Sequence, residues 1–192
     1  MRGLLAVDLA RVSAGPFATM MCADLGARRI KVERPGRGDD SRTYDPFIGG
    51  RSMYFARVNR SRQSIVLDLR CATDRDLLLR IVDQVDVLVE NYRPGVMERA
   101  WARHAPARCA QSRLIFVSIS GSGQTGPWRE CPAYDTVAQA ASGMVSITGR
   151  AGEGPFIPGV PIVDLAADST FSGPSVQCAA RSGSHGPRNP SS

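Results

Sequence analysis

The stretch LLAVDLARVSAGPFATMMCADLGARRIKV, residues 4–32, decides the fold. Leu4-Leu5-Ala6-Val7 is a short apolar run suited to a buried strand, Pro16 to Leu25 is helix-like, and Arg29-Ile30-Lys31-Val32 is a second strand-like run. Gly15-Pro16 suits a helix start, because proline at the first helical position has its φ preset and lacks only a donor that finds no partner there. Gly26 is placed to end that helix in the left-handed conformation. Strand, helix and strand in this order form a βαβ unit, so the sheet is expected to be mainly parallel.

The rhythm recurs after the polar loop 35–49. Ser64 to Leu69 reads as a strand, Ala72 to Gln84 as a helix capped by Thr73 with Asp74 and Asp76 near its positive end, and Val85 to Val89 as a strand. Pro94-Gly95 opens a short helix toward Arg103, and Leu114 to Ile119 is the most strand-like run in the chain. Its continuation, Ser120 to Pro127, is a glycine-rich loop at a strand's carboxyl end, the edge where open α/β sheets bind ligands. Tyr134 to Met144 has helical spacing, with Val137, Ala140, Ala141 and Met144 on one face, and is expected to be buried. The pattern predicts an α/β fold: a Rossmann-like open, mainly parallel sheet flanked by helices over residues 1–171. Residues 172–192 lack periodicity and carry no acid, and are expected to be a disordered or frameshifted tail.

Composition excludes several function classes. With 192 residues, 43% of them hydrophobic, the chain is long enough for a real core. It has no uninterrupted apolar run long enough to span a membrane, and its start is broken by Asp8, unlike a signal peptide. A soluble, cytoplasmic protein is expected. Its five cysteines are scattered without metal-ligand spacing, which fits free thiols and no metal. The net charge of +6 is almost wholly arginine, since Lys31 is the only lysine. These arginines are interleaved with acids, so no nucleic-acid surface is expected.

Several ordered blocks carry a resemblance. They are Val12-Ser13-Ala14-Gly15-Pro16, Asp24-Leu25-Gly26-Ala27, Ile30-Lys31-Val32-Glu33-Arg34-Pro35 with Gly38-Asp39, and Asn59-Arg60 with Ser64-Ile65 and Leu67-Asp68. Val89-Glu90-Asn91-Tyr92-Arg93-Pro94-Gly95, Ser118-Ile119-Ser120-Gly121 with Gly123-Gln124-Thr125-Gly126-Pro127, and Pro132-Ala133-Tyr134-Asp135 follow in the same order. Together they resemble the amino-terminal portion of class III coenzyme A transferases, the family of formyl-CoA and carnitine CoA-transferases, to which α-methylacyl-CoA racemase is related.

The resemblance implies an enzyme that moves CoA between an acyl-CoA and a carboxylic acid, with Asp164 as a nucleophile that forms an aspartyl-CoA intermediate. Ser13 and Ala14 match a loop whose donors lie near that carboxylate. Arg34 and Arg99 match positions facing the CoA phosphates, and Leu67, Asn91 and Tyr92 match positions lining the adenine and pantetheine groove. Tyr134 stands where the racemase branch has a proton-shuttling histidine, which favours transfer over racemisation. The resemblance further implies coenzyme A as substrate and carrier, no metal, and a homodimer for complete family members. Those members continue well beyond residue 192, so a truncated chain of reduced activity is expected, with a non-catalytic CoA-binding or partner-binding fragment as the alternative.

Overall fold

The opening apolar run forms strand β1 (Leu5–Asp8), and it pairs in parallel on both sides. The computed structural model describes residues 1–101, 114–150 and 152–170. Its main sheet has the order β5 (Gln63–Val66), β2 (Arg28–Glu33), β1, β6 (Val87–Glu90), β7 (Ile115–Ser118), with every pairing parallel. A small hairpin, β3 (Phe47–Ile48) with β4 (Arg51–Ser52), stands apart from it. The described helices are α1 (Pro16–Asp24), α2 (Met53–Val58), α3 (Ala72–Val82), α4 (Val96–Trp101), α5 (Asp135–Ala141), α6 (Met144–Ile147) and α7 (residues 162–170). The expected α/β fold is therefore present.

One face of the sheet is apolar and closes under α3 and α4: Val7, Leu9, Leu88, Leu78, Val82 and Met97 belong to one buried cluster. Full burial of each such leucine stabilises by about 1.5–3 kcal/mol. On the other face Ala6, Ala10, Val87 and Val89 are small. Small side chains there let the start of α1 approach the sheet. A Cβ on Gly15 would lie 2.4 Å from the Ala10 Cβ, and Gly15 has φ +97, so both space and backbone demand glycine.

That second face also carries charge. Register places Asp8 beside Lys31, and both are almost fully buried with Arg29. Arg29 pairs with Asp8 at 2.5 Å, Lys31 lies 3.7 Å from Asp8, and the Thr19 hydroxyl donates to Asp8 at 3.0 Å. Burial pushes the Asp8 carboxyl up, but the Lys31 and Arg29 charges with these hydrogen bonds outweigh it and hold it below the ordinary range. Removing one partner from such a set leaves a stranded buried charge, at a cost of about 3–5 kcal/mol.

Three local expectations need correction. Helix α3 starts at Ala72, with Cys71 at its cap position and no side-chain cap; Thr73 is inside the first turn, and Asp74 instead accepts from the Asp68 N–H at 2.7 Å. The helix expected over Tyr134–Met144 breaks at Gly143, whose left-handed φ of 82 separates α5 from α6. Its apolar face is also not buried, since Val137 is half exposed and Ala140 and Ala141 are exposed. Hydrogen bonds from Asp135 and Gln139 turn the opposite face inward. The expected tail 172–192, and the end of the helix toward Arg103, lie outside the described residues.

Candidate functional site

The strand order reverses direction beside β1: β2 and β5 lie to one side, β6 and β7 to the other. Loops leaving the carboxyl ends of β1 and β6 must part there, and the crevice between them is the usual ligand position in an open α/β sheet. Asn91, just after β6, bridges this crevice. Its Oδ1 accepts from Arg11 N–H at 2.8 Å, and its Nδ2 donates to the carbonyls of Arg11 at 2.8 Å and Ala14 at 2.7 Å. The side-chain amide expected to line a ligand groove is thus engaged in fixing the loop after β1.

Two clefts open along this edge. The first, about 420 Å³, is lined by Arg34, Leu67, Arg70, Tyr92 and Met97 among others. The second, about 370 Å³, is lined by Ser13, Ala14, Asn91, Tyr134, Asp135 and Asp164 among others. Arg11 and Tyr92 line both, with the Arg11 guanidinium 5.1 Å from the centre of the Tyr92 ring. The cleft holding Arg34, Leu67 and Arg70 and the cleft holding Asp135 and Asp164 are therefore neighbours sharing one wall.

Asp164 sits near the start of α7, half buried at the end of the second cleft. Its position is set by Asp135, whose Oδ1 accepts from the N–H groups of Val163 at 2.8 Å and Asp164 at 3.0 Å. Asp135 Oδ2 accepts in turn from buried Gln139, which also donates to the Val160 carbonyl at 3.3 Å. Facing Asp164 across the same cleft are Ser13 and Ala14 of the β1 loop, whose hydroxyl and N–H act as donors toward its carboxylate. Burial pushes the Asp164 carboxyl up, the Asp135 charge adds to that, and the two donors oppose it; the result is about 6. Such a group is mostly ionised at neutral pH yet more basic than an ordinary carboxylate. A carboxylate in this state can act as a nucleophile.

The other expected site residues are placed as follows. Arg34 lines the first cleft, and its guanidinium pairs with Asp40 and donates to the Gly38 carbonyl at 3.0 Å. Leu67 is buried in that cleft's wall. Tyr134 lines the second cleft and is 81% exposed. Arg99 is exposed on α4 and lines neither cleft.

Sequence reasoning gives no role to Tyr54, Asp135 or Asp168, which the structure brings to the same place. Tyr54, on α2, is placed near Ser13: burial pushes its phenol up, the Ser13 side chain opposes this, and the Asp164 and Asp135 charges add to it. Asp168 is fully buried one helical turn after Asp164, and its Oδ1 accepts from Gly15 N–H at 2.7 Å. Its spacing of four from Asp164 was the available signal, since residues i and i+4 share a helix face. Among the described residues no group of three or more His, Cys, Asp or Glu could hold a metal ion, and no helix is long and apolar enough to cross a membrane.

The chain matches the family described as CoA-transferase family III over residues 1–181. It is 52% identical over 147 residues to an acetyl-CoA:oxalate CoA-transferase of Acetobacter aceti, covering 77% of this chain and 38% of that protein. It is 43% identical over 167 residues to the human succinyl-CoA:glutarate CoA-transferase, covering 86% of this chain and again 38% of the relative. The chain thus spans well under half the length of these curated relatives. Its structure is similar to a CAIB/BAIF family protein from Brucella suis, with a TM-score of 0.83 and 34% identity, covering 95% of this chain and 50% of that one. The chain belongs to CoA-transferase family III.

Proposed function

We propose that this chain carries the CoA groove and the nucleophile of a CoA transfer between an acyl-CoA and a carboxylic acid, with Asp164 as the residue that becomes covalently modified. The observation that carries the reading is the half-buried Asp164 carboxylate lining one cleft with Ser13 and Ala14, a cleft that shares Arg11 and Tyr92 with its arginine-bearing neighbour. We assign the CoA nucleotide and phosphates to the first cleft, where Arg34, paired with Asp40, and Arg70, paired with Asp68, have guanidinium donors left over for phosphate oxygens. Leu67 and Tyr92 line the path of the pantetheine arm toward Asp164.

In this mechanism an Asp164 oxygen attacks the thioester carbonyl, the C–S bond breaks, and CoA leaves as thiolate, giving an acyl-aspartyl anhydride. The thiolate then attacks the aspartyl carbonyl carbon of that anhydride, releasing the first acid as its carboxylate and leaving an aspartyl-CoA thioester. An incoming carboxylate and the same two steps in reverse return Asp164 and form the new acyl-CoA. Ala14 N–H and the Ser13 hydroxyl are placed to hydrogen-bond oxygen at the Asp164 carboxyl carbon, where negative charge gathers when the thiolate adds. Arg11 and Arg93, both lining the second cleft, supply countercharge for the acid substrate. The two relatives named above act, by their names, on oxalate and glutarate, so a dicarboxylate is the substrate class to try first.

The test is to incubate the 192-residue protein with acetyl-CoA and oxalate, or succinyl-CoA and glutarate, and measure intact mass with and without hydroxylamine. A hydroxylamine-labile CoA adduct located at Asp164, absent in Asp164→Asn, is the expected result. An adduct that persists in Asp164→Asn would refute the assignment. A second reading, CoA binding without turnover, rests on the first cleft alone, with Arg34, Leu67 and Tyr92 in its lining. It predicts CoA binding by calorimetry, weakened in Arg34→Ala, with no adduct. A homodimer is proposed for full-length members of the family and not for these 192 residues alone, and location in the cytoplasm is part of the proposal; sedimentation and fractionation of the source cells check them.

A further inference from the structure

The loop that presents Ser13 and Ala14 to Asp164 has an unusual backbone. Val12 has φ 65, in the left-handed region that a β-branched residue occupies only at a cost of about 1–3 kcal/mol. Something must hold it there. The Val12 N–H donates to Asp39 Oδ1 at 3.2 Å, and the same oxygen accepts from the Ser41 N–H at 2.9 Å and the Ser41 hydroxyl at 2.6 Å. Asp39 is 2% exposed, and its second oxygen forms a 2.8 Å ion pair with Lys31. Lys31 Nζ donates onward to the Ala10 carbonyl at 2.7 Å, so one buried ammonium grips the start of the loop while its partner carboxylate grips the middle. Asp8, already paired with Arg29, is the other carboxylate facing Lys31, at 3.7 Å.

We infer that Lys31 and Asp39 are positioning residues for Asp164: their buried ion pair holds Ala10 and Val12 so that the Ser13 hydroxyl and the Ala14 N–H meet the nucleophile. The inference rests on the proposed role of Asp164 only for its catalytic meaning, because the geometry it asserts is measurable without turnover. The pair also shapes both clefts, since Ala10, Lys31 and Asp39 line the first and Val12 to Ala14 line the second. A lysine inside the apolar run Ile30-Lys31-Val32 is otherwise hard to explain, because an unpaired ammonium there would be strongly penalised by burial.

The experiment is a carboxyl ¹³C NMR titration of Asp164 in the full 192-residue chain and in the double variant Lys31→Met with Asp39→Asn. Each single change alters the local charge and would shift the titration electrostatically, whereas the double variant removes one charge of each sign. A shift of Asp164 upward from about 6, by about half a unit or more, therefore reports loss of the Ser13 and Ala14 donors. An unmoved Asp164 titration in a double variant that merely melts at lower temperature would overturn the proposal, leaving the pair as a stabilising element only. Lys31→Arg, which keeps the charge and donors, should restore more of the wild-type titration than Lys31→Met. If the double variant does not fold, amide exchange in the unmodified protein decides: Val12 N–H should be protected at least 100-fold, on the order of a structural amide. Exchange at the rate of an unstructured loop would sink the idea. Neither readout depends on an Asp164 adduct, so failure here and failure of the proposed transfer are separable.

Discussion

Replacing Asp168 by asparagine should raise stability at alkaline pH and remove part of the protein's pH dependence. Asp168 is fully buried, accepts from Gly15 N–H through Oδ1, and has no hydrogen-bond partner for Oδ2 among the described residues. Burial pushes its carboxyl from 3.8 up to about 7; the Gly15 donor opposes this, and the Asp164 and Asp8 charges reinforce it. The folded state thus binds this proton more tightly than the unfolded chain. Its contribution is complete below the unfolded value and is lost as pH rises through the folded one. A rise of roughly 3 units, at about 1.36 kcal/mol each, corresponds to ~4 kcal/mol, against a usual total of about 5–15 kcal/mol. Asparagine keeps an acceptor for Gly15 and carries no charge at any pH. Urea unfolding at about pH 4.5 and about pH 8 should show the wild type losing ~3 kcal/mol more over this interval than Asp168→Asn, since part of the loss already lies below the lower of these. Glu33, Asp8 and Asp39 are shifted downward, so their stabilisation is lost instead as pH falls; it is the same in both proteins and cancels in the comparison. Equal pH dependence in the two proteins would refute the burial argument.

Gly15→Ala should cost at least ~2 kcal/mol in thermal or urea melts, because its Cβ would meet the Ala10 Cβ at 2.4 Å at a φ of +97; an unchanged melt would mean the α1 start is not held against the sheet. Asp135→Asn should lower the Asp164 titration from about 6 while keeping an acceptor for the Val163 and Asp164 amides, which ¹³C NMR reads directly. Ser52→Ala removes the oxygen that accepts from Phe55 N–H at 3.2 Å and donates to the Tyr44 carbonyl at 2.6 Å. It should cost about 1 kcal/mol and loosen the helix that carries Tyr54, seen as faster amide exchange at Phe55.

The sheet was legible because its strands are short apolar runs separated by helical stretches, a signal that local sequence carries almost unaided. Gly15-Pro16 and Gly26 marked α1 for reasons confined to their own backbones, and both behave as expected. The site was legible in a different way. Asp164 stood out through the resemblance rather than through its surroundings, and the family match supports the resemblance without testing the role. Asp168 and Tyr54 escaped notice because their importance lies in contacts across 153 and about 40 residues of sequence, to Gly15 and Ser13. Asn91 was visible, but its amide turned out to be bound to the β1 loop. The α5 face was misjudged because helical periodicity finds an apolar stripe without saying what covers it, and here the Asp135 and Gln139 hydrogen bonds fix the rotation.

The single lysine has a chemical corollary. With Lys31 the only lysine in the sequence and its side chain 1% exposed, the protein presents no ε-amine to solvent. Thioesters and mixed anhydrides acylate amines readily, and a surface rich in ammonium groups would collect such adducts. Arginine supplies the positive charge instead, and a guanidinium stays protonated and unreactive toward acyl groups. Amine-directed reagents should therefore attach to the folded chain at Met1 alone, and a second site of attachment would report that the buried strand had opened.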